Sequence, residues 1–280
     1  WSMYHGEKVP GFPKHPHRGF ETLTVVNEGI IDHSDSLGSK ARYGDGDAQW
    51  LTAGDGINHS EMFPLFNKDS LNKIDFFQIW INLPSTKKRV DPYFKMFWDN
   101  NIPRVVENDD NGLLTKISII SGNYKGIESL KPPPNSWANN NKNNVGVWVI
   151  NMDEGARWII PKSTEKTLRS LYIPKNNKIK FNDEKLITNS RVDLIVKEDI
   201  SVFNSGPKTN LLLLQGKPIK EPVVQYGPFV MNTRSEIQEA FRDYDRTQFG
   251  GWEWNTSAPT HGKEKMKFAK LLDGKFEKPM

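Results

Sequence analysis

The chain has 280 residues, 36% apolar and 26% charged, enough for one large or two ordinary domains with sizeable cores. It has no cysteine, which excludes disulfides, thiolate metal sites and thiol nucleophiles and agrees with a reducing compartment, intracellular and cytoplasmic, with the nucleus added for a eukaryotic source. Thirty-eight basic against 34 acidic side chains leave a net charge of +4, with lysines scattered apart from Lys87-Lys88-Arg89 and Lys263–Lys267, so no direct nucleic-acid partner is expected.

No run approaches the roughly 18 apolar residues of a membrane span, so no membrane partner is expected. The opening WSMYHGEKVPGF lacks the basic and then apolar segments of a secretory signal. Short apolar runs bounded by Gly, Pro, Asn and Asp recur along the chain, the pattern of an all-β sandwich or barrel. Leu23–Val26 and Ile30–His33 flank Asn27-Glu28-Gly29, which reads as a hairpin. Phe76–Leu83 is aromatic and β-branched and is ended by Pro84. The polar stretch Glu107–Gly112 is the expected domain boundary, dividing the chain into 1–112 and 113–280. Strands are expected at Lys116–Ser121, Gly146–Asn151, Val192–Val196 and Leu211–Gln215, with Lys131–Asn144 (KPPPNSWANNNKNN) an exposed loop. Thr233-Arg234-Ser235-Glu236 has capping-box spacing, and Ile237, Ala240, Phe241 and Tyr244 follow on one helical face, predicting a short C-terminal helix near 233–245.

Histidine is scarce. Three of the six fall into His15-Pro16-His17 and His59-Ser60-Glu61. Residues two apart on a strand share a face. Two such pairs turned inward could bring three imidazoles and a carboxylate to one point. An exposed loop explains a lone His-x-His equally well, so spacing leaves both readings open.

The stretches HPHRGFETLTVV, DHSDSLG, GDAQWLTAGDGINHSEM, FFQIWINLP and EPVVQYGPFVMNT, followed by QFGGWEW near the C-terminus, resemble the pirin family in sequence and in order, over nearly the whole chain. The resemblance implies a bicupin: two antiparallel β-barrel, jelly-roll-like domains, the first binding one divalent transition metal, with Fe(II) first among the candidates. Carried onto this sequence, the family's ligands are His15, His17, His59 and Glu61. Glu21 is the rival ligand, or else a hydrogen-bond partner of a ligating imidazole. His33 reads as a strand-face residue, and His5 and His261 receive no role.

Some pirins act as quercetin 2,3-dioxygenases. The resemblance therefore implies a small aromatic substrate, such as a flavonol, together with O2, and Glu61 as the catalytic general base. Phe20, Trp50, Met62, Phe63 and Trp80 are candidates for an apolar pocket around a flat ring. Two positions depart from the family pattern: Asp55 stands where a basic residue is common, and Lys14 where an acidic one is frequent. The alternative is a non-enzymatic, redox-sensitive transcriptional coregulator with protein partners; a third is a metal-binding storage protein. A monomer is expected. The second barrel is expected to be metal-free. It holds one histidine, His261, and no His-x-His pair, and its Asp153-Glu154 and Asp183-Glu184 pairs adjoin turn residues. Trp158-Ile159-Ile160 is expected to fill it.

Overall fold

The computed structural model describes residues 2–6, 8–175, 177–182, 184–185 and 189–279. The chain forms two units. The first comprises Trp1–Asn101, Pro133–Trp137 and Lys220–Met280, and the second Ile102–Pro132 and Ala138–Ile219. Both are built from antiparallel strands.

In the first unit a six-stranded sheet runs in the order Gly11–His17, Ile57–Met62, Ile30–Asp35, Lys40–Gly44, Phe268–Lys270, Phe276–Glu277. A four-stranded sheet runs Tyr93–Phe97, Ala48–Thr52, Phe20–Glu28, Asp75–Asn82. The sheets face each other across an interior holding Val26, Ile31, Tyr43, Leu51, Phe63 and Phe94. Side chains alternate between the two faces of a strand. On Phe20–Glu28 the even-numbered residues point inward: Thr24 bonds Glu61 of the other sheet, and Phe20 packs on His17. Glu21, Leu23 and Val25 point the other way.

The expected hairpin about Gly29 does not form. Phe20–Glu28 pairs with Ala48–Thr52 and Asp75–Asn82, whereas Ile30–Asp35 pairs with Lys40–Gly44 and Ile57–Met62. Gly29 is a corner at which the chain leaves one sheet for the other. Its φ is +94°, and a Cβ there would lie 2.3 Å from the Lys73 carbonyl oxygen, so the position requires glycine. A turn signal marks the change of direction and says nothing about which strand becomes the neighbour.

The C-terminal segment joins this unit. Arg42 forms a buried two-pronged pair with Asp32, both contacts 2.7 Å, and also donates to the carbonyls of Gly262 and Glu264. His261, given no role from sequence, places Nε2 2.7 Å from the His33 carbonyl oxygen. The Trp254 indole donates to the Asp35 carbonyl at 2.9 Å. The helix spans Arg234–Thr247, and Thr233 Oγ1 accepts the Glu236 N–H at 3.2 Å. Glu236 Oε2 in turn accepts from the Asn232 N–H at 3.1 Å, which closes the predicted cap one residue early. Ile237, Ala240, Phe241 and Tyr244 pack on Phe229, Met231 and Phe249, so the predicted apolar face is the buried one. The helix lies in the first unit although the second unit precedes it in the chain.

The second unit has a six-stranded sheet, Arg104–Asn108, Leu114–Ser121, Gly146–Met152, Thr209–Gly216, Leu168–Ile173, Ser190–Asp193. Its other sheet is Arg157–Ile160, Ile200–Asn204, Ile179–Phe181, Glu184–Lys185. Glu107–Gly112 is not a linker here. It ends one strand and turns into the next, with Asp109 Oδ1 accepting the N–H groups of Asn111 and Leu113, so the division falls between Asn101 and Ile102. The Lys131–Asn144 stretch is divided as well. Pro133–Trp137 belongs to the first unit, and Ser136 is buried there against Glu21. Trp158 and Ile160 enter the second core with Trp148, Leu171 and Leu213, while Ile159 faces outward. Asp153 sits in a turn beside Lys208, and Asp183 lies outside the described residues. Among the described residues no helix is long and apolar enough to cross a membrane.

Candidate metal centre

The Gly11–His17 strand is the edge of its sheet, the position that tolerates its two prolines. It pairs with Ile57–Met62 in the register Phe12↔Glu61, His15↔His59, His17↔Ile57, with a bulge between Phe12 and His15. Two residues, Pro13 and Lys14, thus stand against the single residue Ser60. The bulge keeps His15 on the face of His59, and His17 shares that face two residues on. Ring centroids are 4.8 Å apart for His15–His17, 4.4 Å for His15–His59 and 4.9 Å for His17–His59. One nitrogen from each ring lies within 4.8 Å of the other two.

His15 Nδ1 is 2.8 Å from the Pro13 carbonyl oxygen and His17 Nδ1 3.4 Å from that of Pro228. An imidazole that donates Nδ1–H to a carbonyl keeps its Nε2 lone pair for a metal. His17 Nε2 and both nitrogens of His59 are buried without a protein partner, a costly arrangement unless something else occupies the point. Burial, with the neighbouring His15 adding to it, pushes His17 down to about 3, and burial holds His59 well below the usual imidazole range. Both are neutral at physiological pH, the state that ligates. This donor set fits a divalent transition metal held by nitrogen.

Glu61 shares the face of His59 and is buried, but its carboxylate is outside the three-imidazole group. Thr24 Oγ1 donates to Oε1 at 3.1 Å, and Gln78 Nε2 donates to Oε2 at 2.7 Å. Both donors belong to the opposite sheet, so Glu61 spans the interior. Glu21 is not beside the imidazoles. Gly19, at φ +85°, resets the strand's parity, and Glu21 points to the other face, where Thr52 and Ser136 donate to it at 2.7 and 2.5 Å. Burial raises its carboxyl to about 7, against the opposing effect of these hydroxyls.

His33, read from the sequence as a strand-face residue, is buried in the Ile30–Asp35 strand. It stands opposite Glu61, and Asp35 stands opposite His59. His33 Nε2 is 3.1 Å from Asp35 Oδ2, its ring is 5.6 Å from that of His59, and it stacks on Phe94. The signal was present as His33-Ser34-Asp35, a third pair at i, i+2 spacing.

Of the pocket candidates, Phe20 and Trp80 meet the site. Trp80 is 5.5 Å from His17 and 4.2 Å from Phe20, and at 39% exposed it opens to solvent. Phe63 packs on Phe12, which in turn meets His15. Trp50 and Met62 do not line it. Trp50 stands beside Leu23 and Met62 follows Glu61, so alternation turns each to the outer face of its sheet. The two departures from the expected pattern have partners elsewhere. Asp55 pairs with Arg89 at 2.7 Å and Arg18 at 3.5 Å, which neutralises its charge. Lys14 reaches Gln248 at 3.3 Å.

Two family models match the chain, Pirin over residues 2–81 and Pirin C-terminal cupin domain over residues 147–250. Pirin-1 of Arabidopsis thaliana is 36% identical over 263 residues, covering 86% of this chain and 78% of its own. The chain belongs to the pirin family. Human Pirin is 31% identical to this pirin over 257 residues, 88% of this chain and 80% of its own. Among solved structures, a quercetin 2,3-dioxygenase from Acinetobacter baumannii matches it with a TM-score of 0.78 and 28% identity, covering 90% of this chain and 83% of the other. The pirin fold is thus the two-domain cupin-like architecture described above, and its first unit carries a three-histidine group able to hold a metal.

Proposed function

We propose that this pirin is an Fe(II)-dependent dioxygenase acting on a flavonol or a related hydroxylated aromatic. The observation that supports the reading most is the convergence of His15, His17 and His59 with buried, unpartnered lone pairs below an exposed indole. Similarity to the Acinetobacter quercetin dioxygenase adds to it. The three imidazoles would hold the ion, with Glu61 the carboxylate available on the same face. An iron ion there would supply Lewis acidity toward a substrate hydroxyl and an electron path to O2.

The chain's own groups do the rest. Trp80 and Phe20, tilted 34° to each other, offer π faces beside His17 for a flat substrate. Glu61 is the base for the hydroxyl proton. Thr24 Oγ1 and Gln78 Nε2 donate to its two oxygens and orient the carboxylate across the interior. The buried inner surface keeps bulk water from the activated ring.

Oxygen uptake with quercetin tests the reading. Iron-loaded protein is expected to consume O2 above the metal-free rate, and the H59A variant to fall to that background. No uptake with any flavonol by a fully iron-loaded protein would reject the enzyme and leave the coregulator alternative.

A further inference from the structure

Three arginines are buried among the described residues: Arg18, Arg42 and Arg169. Two of them meet carboxylates. Arg18 pairs with Asp243 at 2.9 Å and Arg42 with Asp32 at 2.7 Å. Arg169, in the second unit and 3% exposed, has neutral partners only. Its Nε and Nη2 donate to Gln215 Oε1 at 2.8 and 2.6 Å, and its Nη1 donates to the Pro161 carbonyl at 2.6 Å. Its guanidinium lies 5.8 Å from the Trp148 ring centroid. Burial pulls its pKa from 12.5 down to about 10, with no acidic neighbour opposing the fall.

The position is an interior one. Arg169 stands opposite Gln215, and Leu171 opposite Leu213, on paired strands. On the next strand Trp148 stands opposite Leu213, and Gly146 opposite Gln215. Leu171, Leu213 and Trp148 belong to the second core, and residues two apart on a strand share a face. Arg169 and Gln215 therefore form a polar layer at one end of that core. Gly146 makes room for it, since a Cβ there would lie 2.8 Å from Gln215 Cγ. Gln215 Nε2 donates to Asn144 Oδ1 at 3.1 Å, and Asn144 lines a cavity of about 470 Å³. Two side chains, Gln215 and Asn144, link Arg169 to that cavity.

A buried charge without a counter-charge is among the most destabilising groups a fold can hold, and neutral acceptors do not balance it. Of the five N–H groups on a guanidinium, three are engaged here, which leaves one on Nη1 and one on Nη2. Beside them the Trp148 indole, 2% exposed, has no partner for its N–H. Three unused donors around one uncompensated positive charge are what an anion needs. The charge count selects the anion. One cation balances one negative charge, whereas a phosphate or sulfate dianion would bring a second into a site shielded from water. A carboxylate is singly charged, and its two oxygens suit paired N–H donors.

We propose that the second unit binds a small monocarboxylate, held by the two remaining N–H groups of Arg169 and the indole N–H of Trp148. The site uses none of the imidazoles of the first unit, so its test is independent of the metal reading.

The test follows the indole N–H signals of the nine tryptophans by NMR of the isotope-labelled full chain, while sodium formate or sodium acetate is added at constant ionic strength. Trp148→Phe keeps an aromatic ring and has no N–H, so the signal it lacks belongs to Trp148. That signal is expected to move downfield in the wild type and to saturate in the millimolar range, the range open to so small a ligand. Arg169→Gln is expected to abolish the shift. Trp148→Phe is expected to weaken acetate binding about fivefold in a calorimetric titration, the worth of one hydrogen bond, and this arm decides the matter if Arg169→Gln does not fold. The proposal is overturned if neither carboxylate moves the Trp148 signal, if the shift survives in Arg169→Gln, or if Trp148→Phe binds acetate as tightly as wild type. Inorganic phosphate shifting the signal as strongly as acetate would overturn the carboxylate assignment.

Discussion

His15 and His59 stand directly opposite each other on neighbouring antiparallel strands, their ring centroids 4.4 Å apart. Without the bulge at Pro13 and Lys14 the edge strand would be shifted by one residue, and its histidines would face away from His59. The site depends on register as much as on residue type.

The consequence for ligation is unequal weight. His17 and His59 are buried and their free lone pairs have no other partner, so His17→Ala or His59→Ala is expected to reduce metal content from about one ion per chain to near background. Glu61→Gln leaves the imidazoles intact and is expected to retain most of the metal. Elemental analysis after gel filtration decides it, and full metal content in His59→Ala would refute the assignment.

Burial lowers His17 from 6.5 to about 3. In the metal-free protein the folded state therefore binds fewer protons than the unfolded state between pH 3 and 6.5. Stability from this group is present above pH 6.5 and is lost as pH falls through that window, by up to about 5 kcal/mol at its lower end. His17→Gln, measured by urea unfolding of metal-free protein, is expected to lose less stability than wild type from pH 6.5 to pH 4. Parallel pH profiles for the two proteins would contradict it.

Glu21 works in the opposite sense. Its folded value, about 7, lies above the usual 4.5 because burial disfavours the carboxylate. The folded state binds more protons between these values, so this group's contribution falls as pH rises from 4.5 to 7, by about 3 kcal/mol. Glu21→Gln keeps the shape and cannot ionise. It is expected to be more stable than wild type at pH 8 and to lose that advantage by pH 4.5, as read from urea midpoints. An advantage that does not change with pH would show that Glu21 is not the titrating group.

Much of this was legible in the sequence for a local reason. Residues two apart share a face wherever the backbone is extended, so the two histidine motifs could be paired without knowing the sheet. The capping box and the Ile237, Ala240, Phe241, Tyr244 stripe were local too, and the helix formed where expected. What failed was long-range. Gly29 showed that the chain turns and could not show that Ile30–Asp35 joins a different sheet. Asp109 and its flanking residues suit a tight hairpin turn as well as a linker. Glu21 was the rival ligand and Trp50 and Met62 were pocket candidates, but the positive φ of Gly19 and the alternation of each strand turn them to the far face. The return of Arg42's carbonyl partners from residues 262 and 264 has no local signature at all.

Lys88 joins three parts of the first unit and gives a last expectation. Its side chain is 1% exposed. The Nζ donates to the Gly19 carbonyl at 2.9 Å, to Asn82 Oδ1 at 2.6 Å and to the Val230 carbonyl at 2.9 Å. Gly19 lies two residues beyond His17, Asn82 ends the strand that carries Gln78 and Trp80, and Val230 also donates its N–H to the Arg18 carbonyl. One ammonium therefore ties the segment after the histidine pair to the mouth strand and to the strand that precedes the helix. Burial brings its pKa down from 10.5 to about 8, with Glu221 and Glu236 opposing the fall. Lys88→Met strands three buried acceptors, each worth roughly 1–3 kcal/mol when left unpaired, partly offset by relief of the buried charge. A net loss of about 2–4 kcal/mol is expected in urea unfolding at pH 7. Between pH 8 and 10.5 the folded wild type binds fewer protons at this site than the unfolded chain, so its contribution grows with pH. The gap between wild type and Lys88→Met should accordingly widen from pH 8 to pH 10, and a gap that is absent at pH 7 or closes at pH 10 would show that Lys88 does not hold these segments together.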